Sequence, residues 1–280
     1  ARRPRGRRAL RFTGAFTVIP TVFTLLTAIR SVVAYVFVVT YIIVIGTPML
    51  LLGIVTGWQT HLIVLGITCV RIAMAILGIR AVVAGEQHIQ FGRAALYTVN
   101  HASNVEPPIL FAVLRGLTPR LKVVYKAVLR KLPILGRGFD VVGFVPIERE
   151  NRERSTQAID RAARSVQSGN SLLMFPEGTR SRTGDLLPFK RGAFVLAIKA
   201  QAPVVPTAIL GAGRAMRPGS PLIWPTTVRV HFGTPIETVG LTLDDRAMLA
   251  ERVRAEVARL LAEAAAADGA PLAAPALASE

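Results

Sequence analysis

His101 and Glu106 form the first pair in this sequence whose types and spacing could move a proton. They lie in Val99-Asn100-His101-Ala102-Ser103-Asn104-Val105-Glu106-Pro107-Pro108, after a strand-like run and before a helix whose opening prolines suit its first turn. On one continuous helix a spacing of five would point the two apart, whereas across a strand-to-helix loop they can fold back together. A carboxylate beside an imidazole fixes its tautomer and raises its basicity, as a general base requires. The same pair also fits a loop histidine beside an acid that only caps a helix. A second patch, Phe175-Pro176-Glu177-Gly178-Thr179-Arg180-Ser181, sets an acid and an arginine in a Pro/Gly turn at a strand end. Folds of alternating strands and helices bind polar ligands there, although a surface turn with an internal Glu–Arg pair would read the same. The third, Gly143-Phe144-Val145-Pro146-Ile147-Glu148-Arg149, ends a strand on an arginine, whose planar fork can donate two parallel bonds to a phosphate. Lys126, Lys190 and Arg191 are candidates for the same anion, and each alone could equally be a solvated surface charge.

The elements that must position these residues follow from hydrophobic patterning. Residues 94–99, 121–125, 141–147, 171–175, 204–209 and 227–232 read as strands rich in Val, Leu and Ile. Helical patterns fall between several of them, at 107–116, 152–168 and 191–200. The second of these places Ile159, Ala162, Ala163 and Val166 on one face. This alternation predicts an α/β fold with a mixed, largely parallel sheet flanked by helices. A further amphipathic helix is expected over 244–267, capped by Asp244 or Asp245, with a disordered Ala/Pro-rich tail beyond.

With 51% hydrophobic residues the chain can bury a large core, and its formal net charge of +17 calls for an anionic partner. Nucleic acid would satisfy that charge, but no recognisable nucleic-acid motif is present. The single cysteine, Cys69, excludes an internal disulfide. Six arginines stand in the first eleven residues, and no Asp, Glu, Lys or Arg occurs between Arg30 and Arg71. So long an uncharged run predicts a membrane-embedded helical hairpin, since about 20 apolar residues already span a bilayer. The turn could fall at Gly46-Thr47-Pro48, leaving about 22 Å of helix over 31–45, or at Gly57-Trp58-Gln59-Thr60-His61. A hairpin dipping into one leaflet is the first expectation and a spanning pair the second. Arginines at both ends put both on the cytoplasmic side of the membrane, here taken as a bacterial inner membrane.

In order and spacing the patches resemble the glycerolipid acyltransferase family. Its first block, Asn-His-x4-Asp, is matched by Asn100, His101 and Glu106, and its second by Gly143 through Arg149. The third, Phe-Pro-Glu-Gly-Thr-Arg-Ser, is matched without change at Phe175 to Ser181, and the fourth by Val205-Pro206. The resemblance covers about residues 81–233, and it implies a membrane-bound enzyme that moves a fatty acyl group onto a lysophospholipid. The donor would be an acyl-CoA or acyl carrier protein thioester and the acceptor the sn-2 hydroxyl of lysophosphatidic acid, giving phosphatidic acid. Glycerol-3-phosphate, another lysophospholipid or a lyso form of a glycolipid or aminolipid are the alternative acceptors. His101 would be the general base and Glu106 its partner. Arg149, Arg180, Lys126 and Lys190, with Glu177, Gly178 and Thr179, would bind substrate, Glu177 either ordering the turn or meeting a substrate hydroxyl. No cofactor and no metal is implied. The corresponding organisation is a basic leader at 1–30, a membrane-associated helical segment at 31–78, an α/β acyltransferase domain at 79–243 and a C-terminal helix and tail at 244–280. One departure stands out: glutamate replaces the usual aspartate at 106, which moves the carboxylate by about 1.5 Å unless the backbone compensates.

Overall fold

The long uncharged run folds as three helices in the computed structural model, which describes residues 15–148 and 152–269. The arginine-rich leader as far as residue 14, Arg149 and the tail beyond residue 269 therefore lie outside the described residues. The helices are α1 (Ala15–Tyr41), α2 (Thr47–Thr56) and α3 (Gln59–Leu77). Pro48 does not turn the chain. A single π-type turn, Ile42–Gly46, lets the Thr47 N–H donate to the Ile42 carbonyl, and α2 continues α1 past the proline. The reversal comes instead at Gly57, whose φ of 73° is a left-handed conformation that glycine adopts without a Cβ clash. The run Val22–Thr56 and α3 are each long and apolar enough to cross a membrane.

Among the described residues seven strands follow: β1 (Ile79–Ala84), β2 (Leu96–Val99), β3 (Leu121–Lys126), β4 (Val145–Ile147), β5 (Ser171–Met174), β6 (Val204–Leu210) and β7 (Thr226–Phe232). They form one sheet in the order β1-β7-β6-β2-β5-β3-β4, in which only the β6–β7 pairing is antiparallel. The sheet is mixed and largely parallel, as its apolar runs predicted. Two readings need correction. Ile79–Ala84 is a strand that the patterning missed, because it continues an apolar run already assigned to the membrane segment. Of residues 141–147 only the last three are strand, since Val141 ends the helix α5 (Pro133–Val141) and Gly143 breaks the chain at φ 76°.

Successive strand residues face opposite sides of the sheet, and each side has its own helices. One face packs Tyr97, Val99, Leu173 and Val228 under Ile109 and Leu110 of α4 (Glu106–Val113), with Ala34 of α1 and Leu77 of α3 in the same cluster. The other packs Leu96, Leu172 and Val204 under α6 (Arg152–Gln167), α7 (Gly192–Ala200) and, after the short α8 (Ala212–Ala215), α9 (Arg246–Asp268). The turn into α9 is capped by Thr242 rather than by Asp244 or Asp245. Asp245 serves as the reciprocal partner of that capping box, accepting the Thr242 N–H at 2.8 Å.

The three N-terminal helices pack against this domain. Tyr35 donates its hydroxyl to the Pro221 carbonyl at 2.7 Å, and Ser31 accepts the Ile223 N–H at 2.9 Å. Ile63 and Ile67 of α3 pack with Ala112 and Val142, and α2 rests against α5. Much of the hairpin's remaining surface is apolar and exposed, Val36, Val39, Leu51, Ile54 and Val55 among it.

Gly85 closes β1 onto β7 with φ 74°, and a Cβ there would lie 2.1 Å from the Phe232 carbonyl oxygen. Gly85→Ala is therefore expected to cost about 3 kcal/mol, read as a fall in the thermal midpoint in detergent. Gly92→Ala, with nothing within 4 Å of its Cβ, is expected to leave that midpoint unchanged.

Candidate active site

β2 to β6 all run parallel, so their carboxyl ends share one edge of the sheet, and strand register decides which residues meet there. Thr98 of β2 pairs with Met174 of β5; continuing that register by three residues sets His101 beside Glu177. The contact is made. The His101 N–H donates to Glu177 Oε1 at 2.6 Å, and the His101 carbonyl accepts the Ser181 N–H at 2.7 Å. On the other side Asn100 pairs with the Ile209 backbone, donating from Nδ2 at 2.9 Å and accepting at Oδ1 at 2.8 Å. Carrying a donor and an acceptor on one planar amide, asparagine mimics a peptide unit and extends the β2–β6 pairing past Val99. Ser103 ties the loop to the Met216 carbonyl at 2.9 Å.

Fixed in this way, the loop brings His101 and Glu106 together. His101 Nδ1 lies 2.7 Å from Glu106 Oε2, and the Ala102 N–H lies 3.0 Å from each carboxylate oxygen. Glu106 therefore reaches the imidazole despite its extra methylene, from the first turn of α4, where the helix dipole favours a negative charge. The carboxyl is fully buried. Burial raises its pKa above the ordinary value, opposed by the hydrogen bond and charge of His101 and by the backbone donors of Ala102 and Ser103. With Nδ1–H donated to the carboxylate, the lone pair of Nε2 is left on the open side of the ring. The Phe175 ring, its centroid 4.3 Å away, holds the plane of the imidazole.

Glu177 is equally hidden, at 3% exposure. Its second oxygen accepts the Leu187 N–H at 3.2 Å, so both oxygens bind backbone and the side chain fastens the turn to the histidine loop. Burial lifts its pKa to about 7, with the His101 and Leu187 backbone bonds opposing and the Glu106 charge adding to the rise. Gly178 takes φ 76° with the Lys190 side chain lying over it; a Cβ there would meet Lys190 Cδ and Cε at 2.9 Å. Thr179 is exposed and Arg180 half-buried. Lys126 lies opposite Ile147 in the β3–β4 register, at the same edge of the sheet. Among the described residues the side chains of Lys126, Arg180 and Lys190 have no acidic partner. Arg149 lies outside the described residues.

Beside the turn opens a cavity of about 210 Å³, with Pro176, Gly178 and Lys190 near the turn and Val124, Met174, Ala162 and Leu196 among its apolar walls. The sequence held a signal for it. Ala158, Ala162, Gly192 and Ala193 are small residues where α6 and α7 face the strands, but in one dimension they read as ordinary core.

Residues 80–210 match the family model described as Acyltransferase. Over 170 residues the chain is 35% identical to a 1-acyl-sn-glycerol-3-phosphate acyltransferase of Limnanthes douglasii, covering 60% of this chain and 59% of that protein. The Saccharomyces cerevisiae protein of the same description is 30% identical over 190 residues, or 67% of this chain and 61% of its own length. The matches thus span less than two thirds of these relatives. The crystal structure of the 1-acyl-sn-glycerophosphate acyltransferase from Thermotoga maritima shares the fold, with a TM-score of 0.71 at 22% identity over 85% of this chain and 96% of that one.

The raised pKa of Glu177 couples stability to pH. The folded state holds this proton more tightly than the unfolded chain between pH 4.5 and about 7, so stability falls as pH rises through that window and levels off above it. At about 1.4 kcal/mol per unit the change is on the order of 3 kcal/mol. Glu177→Gln cannot ionise, and thermal midpoints measured from pH 5 to 8 should fall less steeply in this variant than in the wild type.

Proposed function

We propose, for a chain whose residues 80–210 match the Acyltransferase family model, that it moves a fatty acyl group from acyl-CoA or acyl carrier protein to the sn-2 hydroxyl of lysophosphatidic acid, giving phosphatidic acid. The observation that carries this reading is the His101–Glu106 pair, 2.7 Å apart on a buried carboxyl at the carboxyl edge of the sheet. In the reaction His101 Nε2 takes the proton from the acceptor hydroxyl as that oxygen attacks the thioester carbonyl carbon. Glu106 stabilises the imidazolium so formed and keeps the ring from turning. The tetrahedral intermediate then collapses, the carbon–sulfur bond breaks, and the thiolate recovers the proton from His101. Every bond made and broken lies between the two substrates, so the enzyme itself is not acylated.

Lys126, Arg180 and Lys190 supply positive charge around the dyad, and with Arg149 they are the residues we assign to the acceptor phosphate. Glu177, Gly178 and Thr179 form the turn under that charge, Glu177 as a positioning residue. The apolar cavity beside Lys190 suits a hydrocarbon chain.

We further read the N-terminal helices as the membrane attachment. Their flank away from the domain is apolar and exposed, and their packing along α4 and α5 favours a hairpin laid into one leaflet over a projecting, spanning pair. Arginines at both ends favour the cytoplasmic face of a bacterial inner membrane. A site held at the leaflet meets lipid-soluble donor and acceptor without drawing either fully into water.

Acyl transfer by the purified, detergent-solubilised protein, with lysophosphatidic acid and long-chain acyl-CoA, tests the reading. His101→Ala is expected to lower kcat by about 10²–10⁴-fold with vesicle binding intact. Equal turnover in both proteins would remove His101 from the mechanism. Absence of product in the wild type would turn the search to acyl carrier protein donors or another lysolipid acceptor.

A further inference from the structure

Beyond β3 the chain leaves the sheet as a short 3-10 turn, Ala127–Lys131, and enters α5 at Pro133. Its large apolar side chains point outward. Val128 is 50% exposed, Leu129 41%, Leu132 43% and Leu135 37%. Among and beside them stand Lys126, Arg130, Lys131 and Arg137, all exposed, against one acid, Asp140, which pairs with Arg130 at 3.0 Å. A short stretch so apolar and so basic, held open on a folded surface, is the composition of a segment resting at a membrane interface, its apolar residues among the acyl chains and its cations at the headgroups. Its position agrees. α5 packs directly on α2, whose outer flank exposes Leu51, Leu52, Ile54 and Val55, so the segment borders the apolar flank of the hairpin. It also begins at Lys126, on the edge of the sheet that carries His101.

We propose that residues 126–137 form a second contact with the bilayer, seated in the interface of an anionic leaflet beside the N-terminal hairpin. The hairpin alone would leave the domain free to tilt about its axis. A second contact beside α2 fixes that tilt and turns the edge bearing His101 toward the lipid. The inference rests on the membrane reading of the hairpin and is independent of the reaction assigned to the site. An acidic protein carrier could also be met by basic and apolar residues. The bilayer is favoured because the segment borders another exposed apolar surface.

The test uses the full chain with Cys69→Ala and a nitrobenzoxadiazole label at Leu129→Cys, at Leu132→Cys, or, as a control on the far face of the sheet, at Arg252→Cys. Each protein is bound to vesicles of phosphatidylcholine with 30% phosphatidylglycerol, with and without nitroxide-labelled lipid, and vesicle binding is followed by flotation. Labels at 129 and 132 are expected to shift their emission to the blue and to be quenched by the nitroxide, and the label at 252 to do neither. The quenching is expected to fall when phosphatidylcholine replaces phosphatidylglycerol; equal quenching in both would overturn the role given to the cations. Protein that floats while 129 and 132 stay in water overturns the second contact and leaves the hairpin standing, more firmly still if acyl carrier protein alone shields those labels. Protein that does not float overturns both.

Discussion

A carboxyl group sealed from water has to find its hydrogen bonds within the protein, and around Glu106 those bonds come from the residues that build the site. Burial alone would drive the group toward its neutral form. The imidazole of His101, the amide of Ala102 and the first turn of α4 answer the charge instead. The dependence is mutual, because the same carboxyl sets the plane and tautomer of the histidine. An exposed acid would hold the ring loosely, since water would compete for both partners. A buried one makes a single orientation far better than its alternatives, provided the loop between residues 100 and 106 cannot relax.

That proviso accounts for the second buried acid. Glu177 touches neither the imidazole nor open solvent; its two oxygens take the amides of His101 and Leu187. With Asn100 clamped to Ile209 and Ser181 donating to the His101 carbonyl, the backbone of the histidine is held from both neighbouring strands. Two glutamates in one small volume thus do different work, one on the ring and one on the chain that carries it. Their mutual repulsion is part of why Glu177 holds its proton to about pH 7.

The same sheet joins this site to the helices before it. Ala34 and Leu77 lie in the core cluster that contains Tyr97, Val99 and Leu173, so the N-terminal hairpin shares a hydrophobic interior with the strands that end in the site. A shared interior of close-packed side chains transmits position. The hairpin and the carboxyl edge of the sheet consequently move as one body, which a tether of flexible linker could not impose.

Much of this was legible in one dimension. Enrichment in Val, Leu and Ile marked β2, β3, β5, β6 and β7 to within two residues, because strands of a sheet covered by helices bury most of their side chains. Ile79–Ala84 was invisible because an apolar strand following an apolar helix leaves no change of pattern. Pro48 read as a candidate turn, and one π-type turn absorbed it, since the wider turn before a proline accommodates its ring and its missing N–H. The site divides along the same line. Residue types and spacing along the chain marked His101, Glu106 and the turn from Phe175 to Ser181 as candidates, and the order of the four blocks, by its resemblance to the glycerolipid acyltransferases, singled them out. That Glu177 would bind backbone and that small residues of α6 and α7 would leave a cavity was decided by strand register and helix packing. Those join residues such as 101 and 177, 76 positions apart, and no local pattern of residues encodes a distance between strands that only a finished core can set.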